Sequence, residues 1–134
     1  MTTTLTALLG FAAWYVLLSI VLGFYRVGLV VGGQKAPNTF AVNGLDLPNF
    51  GQRLTRVRDN CYETLPVFVA IALVAHLSGR AQVTDPLAMW VLYARIGQSL
   101  THLASTSVPA VQVRATLFFV QILIYAWWCL RLFG

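Results

Sequence analysis

Apolar residues are concentrated in four long segments of the chain, and polar residues are concentrated between them. The segments run from Leu5 to Phe24, from Leu65 to Leu77 behind a polar entry, from Pro86 to Leu103, and from Leu117 to Phe133. A helix needs roughly 20 apolar residues to cross about 30 Å of hydrocarbon. The pattern therefore predicts four membrane-spanning helices and little else.

The connections between these segments indicate how the helices are arranged. The stretch "GGQKAPNTFAVNGLDLPNFGQ" is rich in Gly, Pro and Asn and predicts the only long loop. The other two connections are short, and Gly79 can end the second helix. Thr84 or Asp85 can cap the third helix, with Pro86 in its first turn. Short connections favour an all-α, up-down-up-down antiparallel bundle, here a single domain over residues 1–134.

Composition supports the membrane class. Of the 134 residues, 58% are hydrophobic and only 10% are charged, and the mean hydropathy is +0.74. A soluble domain of this size would expose far more charge. The net charge of +5 is spread thinly around the predicted spans, which argues against a nucleic-acid partner. The two cysteines, Cys61 and Cys129, lie in or beside apolar helices and are expected to be buried free thiols.

The basic residues predict a membrane orientation. The N-terminal stretch has no basic region, so we interpret it as the first span rather than a signal peptide. Positively charged loops favour the cytoplasmic side, which would place the first loop there and both termini on the opposite side. Arg80 and Arg131 argue weakly against this. The basic residues at or between the ends of the first two spans are Arg26, Lys35, Arg53, Arg56 and Arg58.

A polar stripe runs into the second predicted span. Arg53, Arg56, Asn60 and Glu63 fall within an arc of roughly 80° on a helix, whereas Arg58 and Asp59 are predicted to point elsewhere. One interpretation is a set of arginines that extend to the lipid phosphates, with Glu63 held by Arg56 or by a neighbouring helix. The other is one wall of a polar pocket, because polar groups at bilayer depth usually face a bundle interior or a water-filled cavity.

The third and fourth helices carry matching polar groups. Arg95, Gln98 and His102 share one face of the third helix, and Arg114 lies at the start of the fourth. One carboxylate against several guanidinium groups suits an anionic ligand. Alternatively, Arg95 and Glu63 form a structural pair in the core. A metal site is not expected, because the two histidines lie on different helices with no cluster of other ligands.

The segment "RVRDNCYETLPVF" resembles the motif R-x-x-x-N-x-x-E-x-x-P-x-F of the MAPEG family, the membrane-associated proteins of eicosanoid and glutathione metabolism. "YARIGQSLTH" and "VRATLFF" are similar to the third-helix and fourth-helix segments of that family. The resemblance is to a bacterial-type member, which implies a multi-pass protein of a bacterial inner membrane. It also implies a homotrimer that binds glutathione between subunits and acts as a transferase or peroxidase on lipophilic electrophiles.

The resemblance implies roles for individual residues. Arg56, Asn60 and Glu63 match the glutathione-contacting positions, and Arg114 matches the arginine that stabilises the thiolate. His102 would hydrogen-bond the thiolate or fill the place of a tyrosine found in several members. The remaining expected cofactor-binding residues are Arg53, Lys35 and Gln98.

Two positions leave a second function open. His102 and Phe118 stand where members of the family often carry tyrosine. The alternative is therefore a non-catalytic member that binds lipid or a protein partner. A small multidrug-type transporter is a weaker hypothesis, because Glu63 lies near one face of its span rather than within reach of both.

Overall fold

The computed structural model describes all 134 residues and contains four α-helices and no strands. These are α1 (Thr3–Val31), α2 (Asn49–Leu77), α3 (Ala81–Ala104) and α4 (Val108–Phe133). Two helices begin at conventional caps: the hydroxyl of Thr2 accepts from the Leu5 amide, and that of Ser107 accepts from the Ala110 amide. The predicted all-α fold is confirmed.

The start of α3 differs from the sequence prediction. Thr84 and Asp85 lie inside the helix rather than at its cap, because α3 begins at Ala81. The Asp85 carboxylate accepts hydrogen bonds from the amide of Thr4, 2.9 Å away, and from the Thr4 hydroxyl. The Thr84 hydroxyl lies 2.6 Å from the same Thr4 hydroxyl. Asp85 therefore satisfies an orphan amide in the first turn of α1, and α1 and α3 begin at the same end of the bundle.

The same end of the bundle also contains the end of α4. Arg80, between α2 and α3, donates hydrogen bonds to the backbone carbonyls of Leu132 at 2.8 Å and Arg131 at 2.6 Å. At the opposite end, Tyr25 of α1 packs edge-on against Phe50 of α2. Neighbouring helices along the chain thus run in opposite directions, as the short connections predict.

Aromatic side chains form the centre of the core. Phe68 of α2 contacts Phe11 of α1 with ring centroids 5.8 Å apart, and it also packs on Tyr125 and Trp128 of α4. These contacts join three helices at one level. Many other large apolar side chains, such as Phe119 at 63% exposure, point outward. An apolar exterior of this extent is expected of a chain surrounded by lipid.

Three helices, α1, α2 and α4, are long and apolar enough to cross a membrane. The remaining helix, α3, has 24 residues, which gives it a length of about 36 Å at 1.5 Å per residue. It is less apolar because it carries Arg95, Gln98 and His102, all of which are buried within the bundle. The prediction of membrane-spanning helices is therefore confirmed for α1, α2 and α4, whereas α3 is long enough to span but not apolar enough.

The loop from residue 32 to 48 folds back onto the end of α1 and the start of α2. Lys35 forms an ion pair with Asp46, with Nζ and Oδ2 2.7 Å apart. Leu47 is buried in the core. Gly44 has a positive φ of 71° and lies so close to Thr55 that a Cβ there would come within 2.6 Å of its Oγ1. Only glycine fits this turn without strain.

Candidate functional site

A cavity of about 590 Å³ opens between α2, α3 and α4. This volume lies within the range of about 300–1,000 Å³ that is usual for small-molecule sites. Most of the lining is polar or charged, although these helices are otherwise apolar. The lining residues are Arg56, Asp59, Asn60, Glu63, Gln98, His102, Val111, Arg114, Ala115 and Phe118.

One wall of the cavity is the polar face of α2. Arg56, Asn60 and Glu63 line it one turn after another, as their spacing on a helix requires. Asp59 also lines the cavity, so the prediction that it points elsewhere is wrong. Its carboxylate forms an ion pair with Arg58, with Nη2 and Oδ1 3.0 Å apart, which partly neutralises its charge.

The carboxylate of Glu63 has no cationic partner within 4 Å. The alternative in which Arg95 and Glu63 form a structural pair is therefore not found, and Arg56 does not hold Glu63 either. Instead Arg95, which is 1% exposed, donates from Nη2 to the hydroxyl of Thr64 at 2.7 Å. Its guanidinium also lies 5.5 Å from the centre of the Phe11 ring. The consequence is that Glu63 remains available to a ligand.

The floor of the cavity is formed by α3. Gln98 is 7% exposed and His102 is 4% exposed, so only a small part of each side chain faces the cavity. Oε1 of Gln98 accepts a hydrogen bond from Nε2 of Gln121 at 2.9 Å. Sequence reasoning missed Gln121. The available signal was its position, seven residues after Arg114 and therefore on the same face of α4.

The third wall is the first half of α4. Arg114 is partly exposed and has no carboxylate within 4 Å. It lies in the second turn, because α4 begins at Val108. Val111, Ala115 and Phe118 line the same wall and give it an apolar surface. This wall therefore presents a free guanidinium beside a patch suited to an apolar group.

Two predicted cofactor-binding residues do not line the cavity of a single chain. Lys35 is paired with Asp46, and its ammonium lies 5.2 Å from the centre of the Phe40 ring. The guanidinium of Arg53 lies 6.0 Å from the centre of the Phe50 ring. The hydrogen bond from Lys35 is also the main reason that the pKa of Asp46 lies below its usual value.

The charges around the cavity define the ligand that it suits. Arg56 and Arg114 on opposite walls can each bind a carboxylate or a thiolate. Glu63, on the same wall as Arg56, can accept hydrogen bonds from an ammonium group. A ligand that carries several negative groups and one positive group fits this arrangement. A second, apolar molecule could pack beside it against α4.

Comparison with known families identifies the chain. Its sequence matches the profile of the MAPEG family over residues 4–134, which is nearly the whole length. Comparison with curated protein sequences returned no match. The family contains glutathione-dependent transferases and peroxidases as well as non-catalytic members. Because the match covers all four helices and every residue that lines the cavity, the chain belongs to the MAPEG family.

Proposed function

We propose that the protein is a glutathione-dependent transferase or peroxidase that acts on lipophilic electrophiles. The observation that carries this proposal is the convergence of two arginines and an unpaired glutamate, Arg56, Arg114 and Glu63, on one cavity. Glutathione carries two carboxylates, one ammonium and one thiol. This combination is complementary to two cationic groups and a free carboxylate.

Bound glutathione supplies a thiol nucleophile, and the protein must favour its charged form. A free thiol has a pKa of about 8.5, so only a few per cent is thiolate at neutral pH. A nearby guanidinium favours the thiolate, and each unit of pKa shift corresponds to about 1.4 kcal/mol. We assign this role to Arg114, because it is free of a carboxylate partner and lies on the same wall as Val111, Ala115 and Phe118, against which an apolar substrate can pack. Arg56 then binds a carboxylate of the ligand, Asn60 donates a hydrogen bond to it, and Glu63 accepts from the ammonium.

The apolar side of the cavity suits the second substrate. Val111, Ala115 and Phe118 lie beside Arg114 on α4. A lipophilic electrophile entering from the bilayer can pack on these residues next to the thiolate. The placement of reactants at short distance in the right orientation contributes a large part of catalysis in bimolecular reactions.

We further propose that the cavity is closed by a neighbouring copy in a homotrimer. Arg56 and Glu63 are exposed in the single chain. Glu63 lies two residues before Leu65, where the apolar segment of α2 begins. An unpaired carboxylate at the edge of the hydrocarbon normally faces protein or water rather than lipid. In the trimer, Lys35 and Arg53 can reach the ligand across the subunit boundary, which is how they would contribute to cofactor binding.

The experiment is conjugation of glutathione to a generic aryl halide by purified protein in detergent or lipid. We expect turnover that depends on protein and on glutathione, with a loss of about 10-fold to 100-fold in Arg114→Ala. Arg131→Ala is the matched control, because Arg131 is an exposed arginine outside the cavity and should leave turnover unchanged. Absence of turnover in the wild type, or equal losses in both variants, would refute the proposal.

A non-catalytic role in binding lipid or a protein partner is the second candidate. The observation that favours it is Phe118, which lines the cavity without a hydroxyl group where many family members have one. A lipid headgroup with a phosphate and an ammonium could also use Arg114 and Glu63. Saturable binding of such a lipid in a protein that shows no conjugation would support this candidate, and turnover that depends on Arg56 and Asn60 would exclude it.

A further inference from the structure

Two glutamine side chains connect the interior of α4 to the floor of the cavity. Gln121 is fully buried and does not line the cavity, whereas Gln98 does. Nε2 of Gln121 lies 2.9 Å from Oε1 of Gln98 and 3.1 Å from the backbone carbonyl oxygen of Leu117. One amide nitrogen therefore joins the backbone of α4 to a residue that faces the ligand space.

The Leu117 carbonyl determines the orientation of both amides. A backbone carbonyl oxygen can only accept hydrogen bonds, so the Gln121 atom that faces it must be the NH2 group. The second N–H of that group is directed at Gln98, and the Gln98 atom that receives it must be an acceptor. Rotation of either amide by half a turn would bring two acceptors or two donors together. Oε1 of Gln121 is buried without a partner, so the two donated bonds alone fix its orientation.

Consequently the NH2 group of Gln98 is the half of its amide that can bind a ligand in the cavity. Its oxygen is occupied by Gln121, and its Nε2 makes no hydrogen bond within the chain. An NH2 group can donate hydrogen bonds but cannot accept them. The floor of the cavity therefore presents a donor, in addition to the guanidinium groups of Arg56 and Arg114 on the walls.

We infer that Gln121 is a positioning residue, which holds Gln98 so that the cavity floor donates a hydrogen bond to a carboxylate or thiolate of the ligand. This inference rests on the proposed function for the identity of the ligand, but the orientation itself rests only on the contacts of Leu117, Gln121 and Gln98. The part of the cavity next to Gln98 therefore suits an anionic group. A cationic group there would face the NH2 donor and be repelled.

A double-mutant cycle with glutathione as the probe tests the positioning role. In calorimetric titrations, Gln98→Leu and Gln121→Leu should each weaken binding about threefold to tenfold, which is the effect of one hydrogen bond. Gln121→Leu should add nothing in the Gln98→Leu background, because Gln121 acts only through Gln98. Gln112→Leu, an exposed glutamine on the same helix and outside the cavity, is the control and should bind normally. Unchanged binding in Gln121→Leu, or independent losses that multiply in the double variant, would overturn the inference.

A measurement without ligand separates this inference from the proposed function. The chain has six glutamines, so protein labelled with ¹⁵N-glutamine gives six side-chain NH2 groups to assign by substitution. We expect slow hydrogen exchange for the NH2 of Gln121, and a shift of the Gln98 NH2 resonance in Gln121→Leu. The opposite pattern, a protected Gln98 NH2 and a freely exchanging Gln121 NH2, would overturn the inference. If wild-type protein fails to bind glutathione but shows the expected exchange, the proposed function fails and the orientation of Gln98 stands.

Discussion

Nη2 of Arg95 on α3 lies 2.7 Å from the hydroxyl of Thr64 on α2, and this bond takes the place of an ion pair with Glu63. Arg95 Nε has no hydrogen-bond partner, and Phe11 covers the guanidinium. The buried arginine is thus held by a hydroxyl and an aromatic ring rather than by a carboxylate. The carboxylate of Glu63, the residue before Thr64, is therefore free to bind a ligand in the cavity.

Substitutions at the two adjacent positions of α2 should separate stability from binding. Thr64→Val removes the hydroxyl that accepts a hydrogen bond from the Arg95 guanidinium and should cost about 2–3 kcal/mol of stability, because a buried charged group loses this bond. Glu63→Gln should change stability by less than about 0.5 kcal/mol, because Glu63 is exposed and unpaired in the chain. It should nevertheless weaken glutathione binding. Thermal unfolding and titration of both variants make the comparison, and a large loss of stability in Glu63→Gln would argue for the core pair after all.

The pH profile of conjugation should report the pKa of the bound glutathione thiol, and hence the effect of Arg114 on that pKa. A stabilised thiolate has a depressed pKa, so the rate should be high above that pKa and fall as the pH drops through it. Arg114→Ala should move the midpoint upward by at least about one unit, toward the value of about 8.5 for a free thiol. Arg114→Lys should move it less, because the charge remains but the planar fork is lost. A midpoint that is identical in all three proteins would assign the role to another residue.

Arg80 should contribute to the stability of the bundle without affecting the cavity. Arg80 lies in the connection between α2 and α3 and donates hydrogen bonds to two carbonyls at the end of α4, those of Arg131 and Leu132. Arg80→Ala should lower stability by about 1–2 kcal/mol, because two carbonyls at a helix C-terminus lose a charged donor. The melting temperature should fall by a few degrees while glutathione affinity is unchanged. Arg131→Ala, which retains both carbonyls, serves as the control.

The ion pair between Lys35 and Asp46 should be visible in the titration of Asp46. The pKa of this carboxyl lies below the usual value of 3.8, mainly because of the hydrogen bond from Lys35. A depressed pKa contributes stability above the unfolded value, and that contribution is lost as the pH falls below about 3.8. Lys35→Ala should therefore raise the pKa of Asp46 toward 3.8, as followed by NMR titration of the carboxyl carbon. An unchanged value would show that the pair does not form in solution.

The sequence predicts the walls of the cavity better than its floor and edges. Arg56, Asn60 and Glu63 follow from helical periodicity, because regular spacing on one helix decides which side chains share a face. The same spacing places Gln121 on the face of Arg114, but the role of Gln121 could not be inferred, since it depends on contact with Gln98 on another helix. Nor does spacing reveal whether a buried arginine pairs with a carboxylate or a hydroxyl, which is why the bond from Arg95 to Thr64 was not predicted.

The same distinction applies to the helices. Hydropathy identifies the segments that meet lipid, so it predicts that the second span starts at Leu65. The helix itself, α2, begins at Asn49. The helical turns before Leu65 are polar because they line the cavity and meet the headgroups. By residue type Asp85 is a suitable cap for α3. In the structure it accepts a hydrogen bond from Thr4 of α1, which lies 81 residues away in the chain. Local patterns predict helices, and contacts between helices decide the function of individual polar residues.

The most direct test of the central claim is a titration of detergent-solubilised protein with glutathione near neutral pH, followed by the ultraviolet absorbance of the thiolate. Binding beside Arg114 should produce a saturable thiolate signal well above the few per cent expected of free glutathione. Arg114→Ala should lose this signal, and Arg131→Ala should retain it. A wild-type protein that produces no thiolate signal at saturating glutathione would contradict the account.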